Sequence, residues 1–229
     1  MPRLWCFLIG YVFGLIQTGF IVGKLNGIDI RNYGSGNSGT TNALRVLGTK
    51  VGLIVFAGDM LKAIIAIIII RFTFGAACPE MKYLYIMYGG AGCILAHDFP
   101  FYMNFKGGKG IASTGGMFIG FHWSFFVTGL VYFFVPFLIT HYVSLGSLIM
   151  YAGFLIQLIF VGQTNLLGFF DGVSQAVLNE IYIIYALLMI LAYWQHRANI
   201  VRLIKGVERK TYLGKKNDEN LPELGKENK

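Results

Sequence analysis

The sequence predicts an all-α integral membrane protein with seven transmembrane helices, its N-terminus outside and its C-terminus in the cytoplasm. Of 229 residues, 55% are hydrophobic and only 13% are charged, and the apolar residues form long runs. Several of these runs approach the ~20 residues with which a helix crosses a bilayer. Lys and Arg residues cluster in the loops and after the last run. Membrane orientation therefore explains the net charge of +8, and no nucleic-acid partner is expected.

Hydropathy places the clearest spans along the chain. They are predicted at residues 4–23, 51–71, 82–97, 145–162 and 178–195. The apolar stretch 111–140 is too long for an ordinary span, so it is either one oversized helix or two short helices that turn near His122 and Trp123.

Positive charges decide between these alternatives. Cationic residues occur between the first two spans, in the loop that carries Lys106 and Lys109, and nine times after Gln195. The positive-inside rule assigns all three segments to the cytoplasm. With the tail inside, the spans 178–195 and 145–162 each cross once, so the chain after residue 140 is also inside, on the same side as Lys106 and Lys109. Residues 111–140 must then cross an even number of times, which predicts two short spans and a total of seven.

The chain is predicted to form a single membrane domain over residues 1–208. Residues 209–229 lose their apolar content and fill with Lys, Asn, Glu and Gly. Such a composition buries too little apolar surface to order a segment. We therefore expect residues 209–229 to form a flexible cytoplasmic tail.

The first polar loop, residues 31–45, has the composition of an anion-binding turn. Three glycines free its backbone to bend around a ligand, and its N–H groups and small polar side chains can converge on one point. Residues 41–45 are expected to begin a short helix, whose N-terminus attracts anions, and Arg45 adds a guanidinium that matches phosphate geometry. The alternative is a flexible polar connector.

The second polar loop runs from His97 to Gly110 and places Lys106 and Lys109 around a glycine pair. It is not a Walker A loop, because Met103 and Gly110 stand where that motif needs Gly and Ser or Thr. The glycines permit close approach of a ligand and favour Lys109 as a phosphate contact, whereas both lysines could simply anchor the interface. His97 is either a structural residue or a catalytic one.

A third polar segment follows the last span. His196 and Asn199 are three residues apart, so on a continuing helix they share one face. Ser144 and Ser147 have the same spacing at a turn that is also predicted to face inside. The alternative for the third segment is a positively charged stop-transfer helix without further function.

Two ionisable residues, Asp59 and Lys62, lie within the second span. Asp59 and Lys62 are expected to face protein and to pair with each other, because charges are costly in lipid.

A CDP-alcohol transferase would need several clustered aspartates for metal ions, and Asp59 is the only aspartate in the predicted spans. No histidine has an aspartate five positions on, which disfavours acyltransferases with a His-x4-Asp pair.

Together these segments closely resemble the bacterial acyl-phosphate:glycerol-3-phosphate acyltransferase family. The likeness rests on residues 34–45, 97–110 and 196–203, with further signatures at residues 59–62 and 143–147, all in the same order and spacing. It covers nearly the whole chain. The sequence departs from the family pattern at Ser38, where Pro is usual, and at Thr40, where Ala is usual, besides small-residue differences at Ala63 and Ala96.

The resemblance implies a multi-pass enzyme of the bacterial cytoplasmic membrane with its active site on the cytoplasmic face. It would transfer a fatty acyl group from acyl-phosphate to the sn-1 hydroxyl of glycerol 3-phosphate, the first acylation of phospholipid synthesis. The products would be lysophosphatidic acid and inorganic phosphate, and no metal ion or other cofactor is implied. Membrane lipid surrounds such an enzyme; its oligomeric state is left open, with a monomer slightly favoured.

The motifs and the resemblance together give a set of expected site residues. The expected catalytic residues are Ser35, Lys109, His196 and Asn199. The expected substrate-binding residues are Gly36, Asn37, Thr41, Asn42, Arg45, His97, Gly107, Gly108, Ser144 and Ser147. The donor phosphate or His196 would accept the hydroxyl proton. The competing class is a transporter for a phosphorylated solute, although a carrier would place its polar residues at mid-membrane rather than at one interface.

Overall fold

The computed structural model describes residues 1–212, in which helices are the only regular secondary structure and no β-strand occurs. Four short 3₁₀ turns, at Ile30–Asn32, Pro79–Met81, Phe101–Met103 and Leu166–Gly168, connect the helices. The α-helices are α1 (Pro2–Gly14), α2 (Thr18–Leu25), α3 (Thr40–Leu47), α4 (Thr49–Phe72), α5 (Phe74–Ala77), α6 (Lys82–Asp98), α7 (Ile111–Phe121), α8 (Trp123–Thr140), α9 (Val143–Thr164), α10 (Gln175–Gln195) and α11 (Arg197–Ile204).

Five helical segments of the described chain are long and apolar enough to cross a membrane. They are Pro2–Leu25, Thr49–Ala77, Trp123–Thr140, Val143–Thr164 and Gln175–Gln195. Two shorter helices complete the bundle, α6 with 17 residues and α7 with 11. The stretch 111–140 forms two helices, which confirms the predicted break, because His122 adopts an extended conformation between α7 and α8.

The first predicted span, 4–23, differs from the structure, which divides it into α1 and α2. The break exposes backbone carbonyls that an unbroken helix would satisfy. The Gln17 amide donates to the carbonyls of Gly14, Ala96 and His97, and the Lys62 ammonium donates to Ile16 O at 2.6 Å. Hydropathy alone did not reveal the break because the residues on both sides remain apolar.

Helix α6 forms the centre of the bundle, and nearly all of its residues are buried. Glycines bring α1 unusually close to it: a Cβ at Gly10 would collide with the carbonyl of Gly89, and one at Gly92 with the carbonyl of Phe7. Close backbone approach through small residues is the usual way in which membrane helices associate, because lipid gives no hydrophobic driving force between them. The contact holds α1 firmly against the core.

An aromatic cluster fills the core between α7, α8, α9 and α10. The rings of Phe118 and Phe154 stack with centroids 3.9 Å apart. Phe118 also stacks on Phe125 and meets Tyr185 edge to face. All four side chains are essentially inaccessible to solvent. This packing fixes the positions of α9 and α10, whose ends carry polar residues of the candidate site.

Candidate active site

A cavity of about 660 Å³ opens at one end of the bundle, between α3, the start of α7, the start of α9 and α11. Most of the residues expected from the sequence line it. Those that do are Ser35, Gly36, Asn37, Thr41, Asn42, Arg45, His97, Lys109, Ser144, Ser147, His196 and Asn199. The three polar segments and the serine turn, distant in sequence, therefore meet in one place.

Asn42 organises the first polar loop. Its amide oxygen accepts hydrogen bonds from Ser35 N at 2.8 Å and from Ser35 Oγ at 3.1 Å. Its amide nitrogen donates to the carbonyls of Ile30, Tyr33 and Asn37, and the side chain is buried. Because both the oxygen and the nitrogen of the amide form hydrogen bonds within the loop, Asn42 shapes the loop and orients Ser35.

The predicted short helix begins at Thr40, with Gly39 as its N-cap, and its first turn lines the cavity. Its first N–H groups have no carbonyl partner within the helix and give this end a positive partial charge. Arg45 lies on the last turn and also lines the cavity, where it donates to Thr211 Oγ1 at 2.9 Å. Burial, followed by the nearby Arg209, lowers the pKa of Arg45.

The glycine pair of the second loop serves the loop itself. Gly107 N donates to Asp98 O at 3.1 Å, and Gly108 N donates to His97 O at 3.0 Å. A Cβ at Gly108 would collide with the His97 imidazole. Gly107 and Gly108, which the sequence assigned to substrate binding, are not among the residues that line the cavity. Their small size lets the loop pack on His97 and carry Lys109 into the cavity.

Lys109 is the central cation of the cavity. Its Nζ donates to Asn199 Oδ1 at 2.6 Å, which joins the second loop to α11. Burial lowers the pKa of Lys109 to about 8, an effect that the neighbouring Glu208 opposes and that Arg202 and Arg45 reinforce. A bound anion would favour the charged form, so this ammonium is suited to a phosphate ligand.

His196 lies at the junction of α10 and α11 and is buried. Its Nδ1 lies 2.8 Å from Ala192 O, and only a protonated Nδ1 can donate to a carbonyl. Burial and then the charge of Lys109 lower the pKa of His196 to about 4, so the ring is neutral near pH 7. Its Nε2 is then an acceptor.

A residue that the motif analysis did not assign, Glu208, lies at the centre of the polar network. It accepts hydrogen bonds from Ser144 Oγ at 3.0 Å, Asn199 Nδ2 at 2.7 Å and Arg202 Nε at 2.7 Å. The chain returns to the cavity because Gly206, at φ +69°, ends α11: Gly206 N bonds to Leu203 O and Val207 N to Arg202 O. A glycine after a helical run is the available sequence signal for this reversal.

The serine turn contributes in two ways. Ser144 donates to Glu208, whereas Ser147 donates to Val143 O at 2.9 Å, four residues back in the same helix. Both line the cavity and both are buried. The hydroxyl hydrogens are therefore held by protein, and their oxygens remain able to accept.

Asp59 and Lys62 form the predicted pair, with Nζ 3.0 Å from Oδ1, which confirms their mutual contact. Lys62 Nζ also lies 2.8 Å from His97 Nδ1. All three side chains are buried, and Asp59 and His97 reach the cavity wall. This cluster ties α4 to the break in the first span and to the second loop.

The cavity therefore defines a class of site: a cationic site, rich in hydrogen-bond donors, that suits anionic groups. Arg45, Lys109 and Arg202 contribute positive charge, and a helix N-terminus and several hydroxyls supply further donors. Within residues 1–212, no three His, Cys, Asp or Glu side chains are grouped as a metal site.

Comparisons with known proteins agree with this class. Residues 4–206 match the family model described as glycerol-3-phosphate acyltransferase. The glycerol-3-phosphate acyltransferase of Bacillus subtilis is 38% identical over 89% of this chain and 94% of its own length. That of Thermosipho melanesiensis is 40% identical over 92% of this chain and 94% of its own length.

Two solved structures of PlsY (YgiH), an integral membrane glycerol 3-phosphate acyltransferase, share the fold. The glycerol 3-phosphate form is 30% identical with a TM-score of 0.77, and the lysophosphatidic acid form is 29% identical with a TM-score of 0.75. Both alignments cover 93% of this chain and 96% of the solved chain. The chain thus belongs to the glycerol-3-phosphate acyltransferase family and is an acyltransferase embedded in a membrane.

Proposed function

We propose that this protein transfers a fatty acyl group from acyl-phosphate to the sn-1 hydroxyl of glycerol 3-phosphate, and that it releases lysophosphatidic acid and inorganic phosphate. The observation that carries this proposal is the single cavity in which Arg45, Lys109 and the α3 N-terminus meet at one end of an apolar bundle. Two substrates that each carry a phosphoryl group need such a concentration of positive charge. An apolar bundle suits the acyl chain of the donor.

The proposed roles follow the positions of the side chains. Ser35, Lys109, His196 and Asn199 lie nearest to the chemistry in this proposal, and they hold the reacting groups together. The other cavity-lining residues of the expected site bind the phosphoryl groups and the glycerol, and Gly107 and Gly108 act through the loop that carries Lys109. Orientation and charge neutralisation then supply most of the rate acceleration, because acyl-phosphate is already activated.

The reaction needs one proton transfer. The glycerol oxygen attacks the acyl carbon, the bond between that carbon and the phosphate oxygen breaks, and the glycerol hydroxyl proton goes to the departing phosphate. Neutral His196 offers Nε2 as an acceptor that orients the hydroxyl, while its pKa of about 4 makes it a weak base. The low basicity of His196 supports the donor phosphate as the proton acceptor.

We further propose seven spans, with the N-terminus outside and the cavity on the cytoplasmic face of the bacterial cytoplasmic membrane. Helices α6 and α7 would add two short spans to the five long segments. The clustering of Lys and Arg around the cavity supports this orientation. Residues 1–208 would form the membrane domain; Thr211 contacts Arg45 beyond that boundary, and the rest of the predicted tail, 213–229, lies outside the described residues.

The choice of donor tests the proposal. Purified protein in lipid nanodiscs would receive glycerol 3-phosphate together with palmitoyl-phosphate, palmitoyl-CoA or palmitoyl acyl carrier protein. We expect lysophosphatidic acid to form only when palmitoyl-phosphate is the donor. Product formation from a thioester at a comparable kcat/KM would show that the donor assignment is wrong.

A further inference from the structure

Three basic side chains lie at the end of the bundle opposite the active-site cavity, and we call them the basic cluster. Arg71 is in the last turn of α4, Lys82 is the first residue of α6, and His122 separates α7 from α8. The other ends of these helices lead to the cavity. Helix α4 follows α3 directly, α6 ends beside His97, and α7 begins after Gly110, and both of these residues line the cavity.

Contacts with the end of α7 bring the two cations of the basic cluster together. Arg71 Nη1 donates to Gly120 O at 3.2 Å. Lys82 Nζ lies 4.5 Å from the centroid of the Tyr83 ring, and that ring packs on Phe121 with centroids 4.7 Å apart. Gly120 and Phe121 are the last two residues of α7. The guanidinium and the ammonium thus reach the same helix end from two other helices.

His122 adds a neutral hydrogen-bond donor to the basic cluster. Its Nδ1 accepts from Ser124 N at 3.2 Å, so the hydrogen of the neutral ring lies on Nε2. Burial, followed by the charges of Arg71 and Lys82, lowers the pKa of His122, and the ring is therefore neutral near pH 7. Within residues 1–212 its Nε2 has no hydrogen-bond partner, so this group is available to an anion.

The positive charge of the basic cluster is not balanced by the protein. Neither Arg71 nor Lys82 forms an ion pair with a carboxylate in the described part of the chain. The acidic side chains of the neighbouring loops, Glu80 and Asp171, accept hydrogen bonds from residues of their own loops. Two like charges at the edge of an apolar bundle repel each other, because the dielectric constant there is lower than in water. An anion from outside the chain would relieve this repulsion.

The surroundings of the basic cluster indicate an anion that belongs to a lipid. Phe72, next to Arg71, is 73% exposed, and Trp123, next to His122, is 68% exposed. Exposed tryptophan at a helix end of a membrane protein is typical of the headgroup level of the bilayer. The phosphate oxygens of a phospholipid lie at this level and match the guanidinium fork of an arginine. The exposed apolar side chains can contact the acyl chains of the same lipid.

We propose that Arg71, Lys82 and His122 bind the phosphate group of an anionic phospholipid in the leaflet opposite the active-site cavity. Arg71 and Lys82 neutralise the negative charge, and His122 Nε2 donates to a phosphate oxygen. The bound headgroup joins the ends of α4, α6 and α7 and so stabilises the bundle. The inference depends on the membrane location of the chain and is independent of the acyl donor.

The test measures lipid binding to the detergent-purified full chain by native mass spectrometry, as the dissociation constant of the first bound lipid. The probes are phosphatidylglycerol, phosphatidylcholine and inorganic phosphate. The variants are Lys82→Gln and the double variant Arg71→Gln/Lys82→Gln. The matched control, Lys50→Gln/Lys106→Gln, also loses two charges, and both of its lysines are exposed and outside the cavity lining. Binding of glycerol 3-phosphate by calorimetry verifies that each variant keeps its fold.

We expect wild-type protein to bind phosphatidylglycerol more tightly than phosphatidylcholine. Lys82→Gln should weaken phosphatidylglycerol binding by about fivefold and the double variant by at least about twentyfold, because each basic residue near a membrane surface contributes roughly a factor of five. The control should keep the wild-type affinity. If the double variant does not fold, Lys82→Gln decides, because Lys82 donates no hydrogen bond within the described residues.

Three results would overturn the proposal. The first is an unchanged affinity for phosphatidylglycerol in Lys82→Gln, and the second is an equal loss of affinity in the matched control. The third is displacement of the lipid by an equal concentration of inorganic phosphate, which would assign the basic cluster to free phosphate.

Discussion

At the scale of single residues, the cavity depends on how each polar group is already partnered. The Asn42 amide is hydrogen-bonded within the first loop, the Ser147 hydroxyl donates to a carbonyl of its own helix, and Gly108 N donates to His97 O. The groups with capacity left for a substrate are Lys109, Arg45, the Nε2 of His196 and the hydroxyl oxygens. Residue type and spacing predicted most of the side chains that line the cavity, but only the three-dimensional contacts show which of their polar groups are already bonded to protein.

The charge on Lys109 gives a pH dependence. Its pKa of about 8 means that the ammonium is charged below that pH and becomes neutral above it in the free enzyme. We therefore expect KM for a phosphate substrate to rise as the pH is raised from 7 to 9.5. Lys109→Arg should abolish the rise, since a guanidinium stays charged throughout this range. Steady-state kinetics across the pH series measure both effects.

Removal of the charge gives a complementary result. Lys109→Met should raise KM at pH 7 by at least about tenfold, the cost of a lost charge-assisted hydrogen bond. Lys106→Met is the matched control, because Lys106 is exposed and outside the cavity lining. Equal KM values for the two variants would contradict the role given to Lys109.

His196 separates two mechanisms. If its Nε2 only orients the hydroxyl, His196→Gln retains an acceptor and kcat should fall by less than about 100-fold, below the upper range for loss of a general base. The wild-type rate should also show no inflection from His196 between pH 5 and 8, because the ring is neutral there. A loss approaching 10⁴-fold would identify His196 as the base.

At the scale of elements, the first loop and α3 form one hydrogen-bonded unit. Asn42→Ala would leave Ser35 N and three carbonyls without their partner. At about 1 kcal/mol per lost hydrogen bond, we expect a loss of roughly 2–4 kcal/mol in unfolding free energy. Thermal unfolding in detergent measures this as a lower midpoint. Asn26→Ala, which removes one exposed hydrogen bond to Val22 O, should change the midpoint little.

Hydrophobic length predicted most helices, because apolar runs in a membrane protein report spans directly. For residues 111–140 hydrophobic length left one or two helices open, and the positive-inside rule predicted the two helices that the turn at His122 separates. The break at residues 15–17 was not predicted, since its stabilising partners, Lys62 and the carbonyls of α6, come from elsewhere in the sequence. The return of Glu208 depends on a single glycine, Gly206, whose meaning becomes clear only with its backbone geometry.

At the scale of the whole molecule, the bundle brings four distant segments to one end. The order of the motifs and the family resemblance predicted this convergence. The exact partners, such as Lys109 with Asn199 and Ser144 with Glu208, depend on the tilt and packing of α9, α10 and α11. Periodicity contains no information on such packing.

The proposed orientation predicts which residues are accessible from each side. In a cysteine-free background, a cysteine at Lys106 should react with an impermeant maleimide only from the cytoplasmic side. A cysteine at Gly172, in the loop between α9 and α10, should react only from outside. Labelling of intact cells and of inverted vesicles provides the comparison. Reaction of both positions from the same side would contradict seven spans.

The most direct test of the account is a product balance. Purified protein receives palmitoyl-phosphate and glycerol 3-phosphate, each omitted in turn, while inorganic phosphate and lysophosphatidic acid are measured together. We predict equal amounts of both products, formed only when both substrates are present. Phosphate released without lysophosphatidic acid, or no turnover while glycerol 3-phosphate still binds, would contradict direct acyl transfer at this cavity.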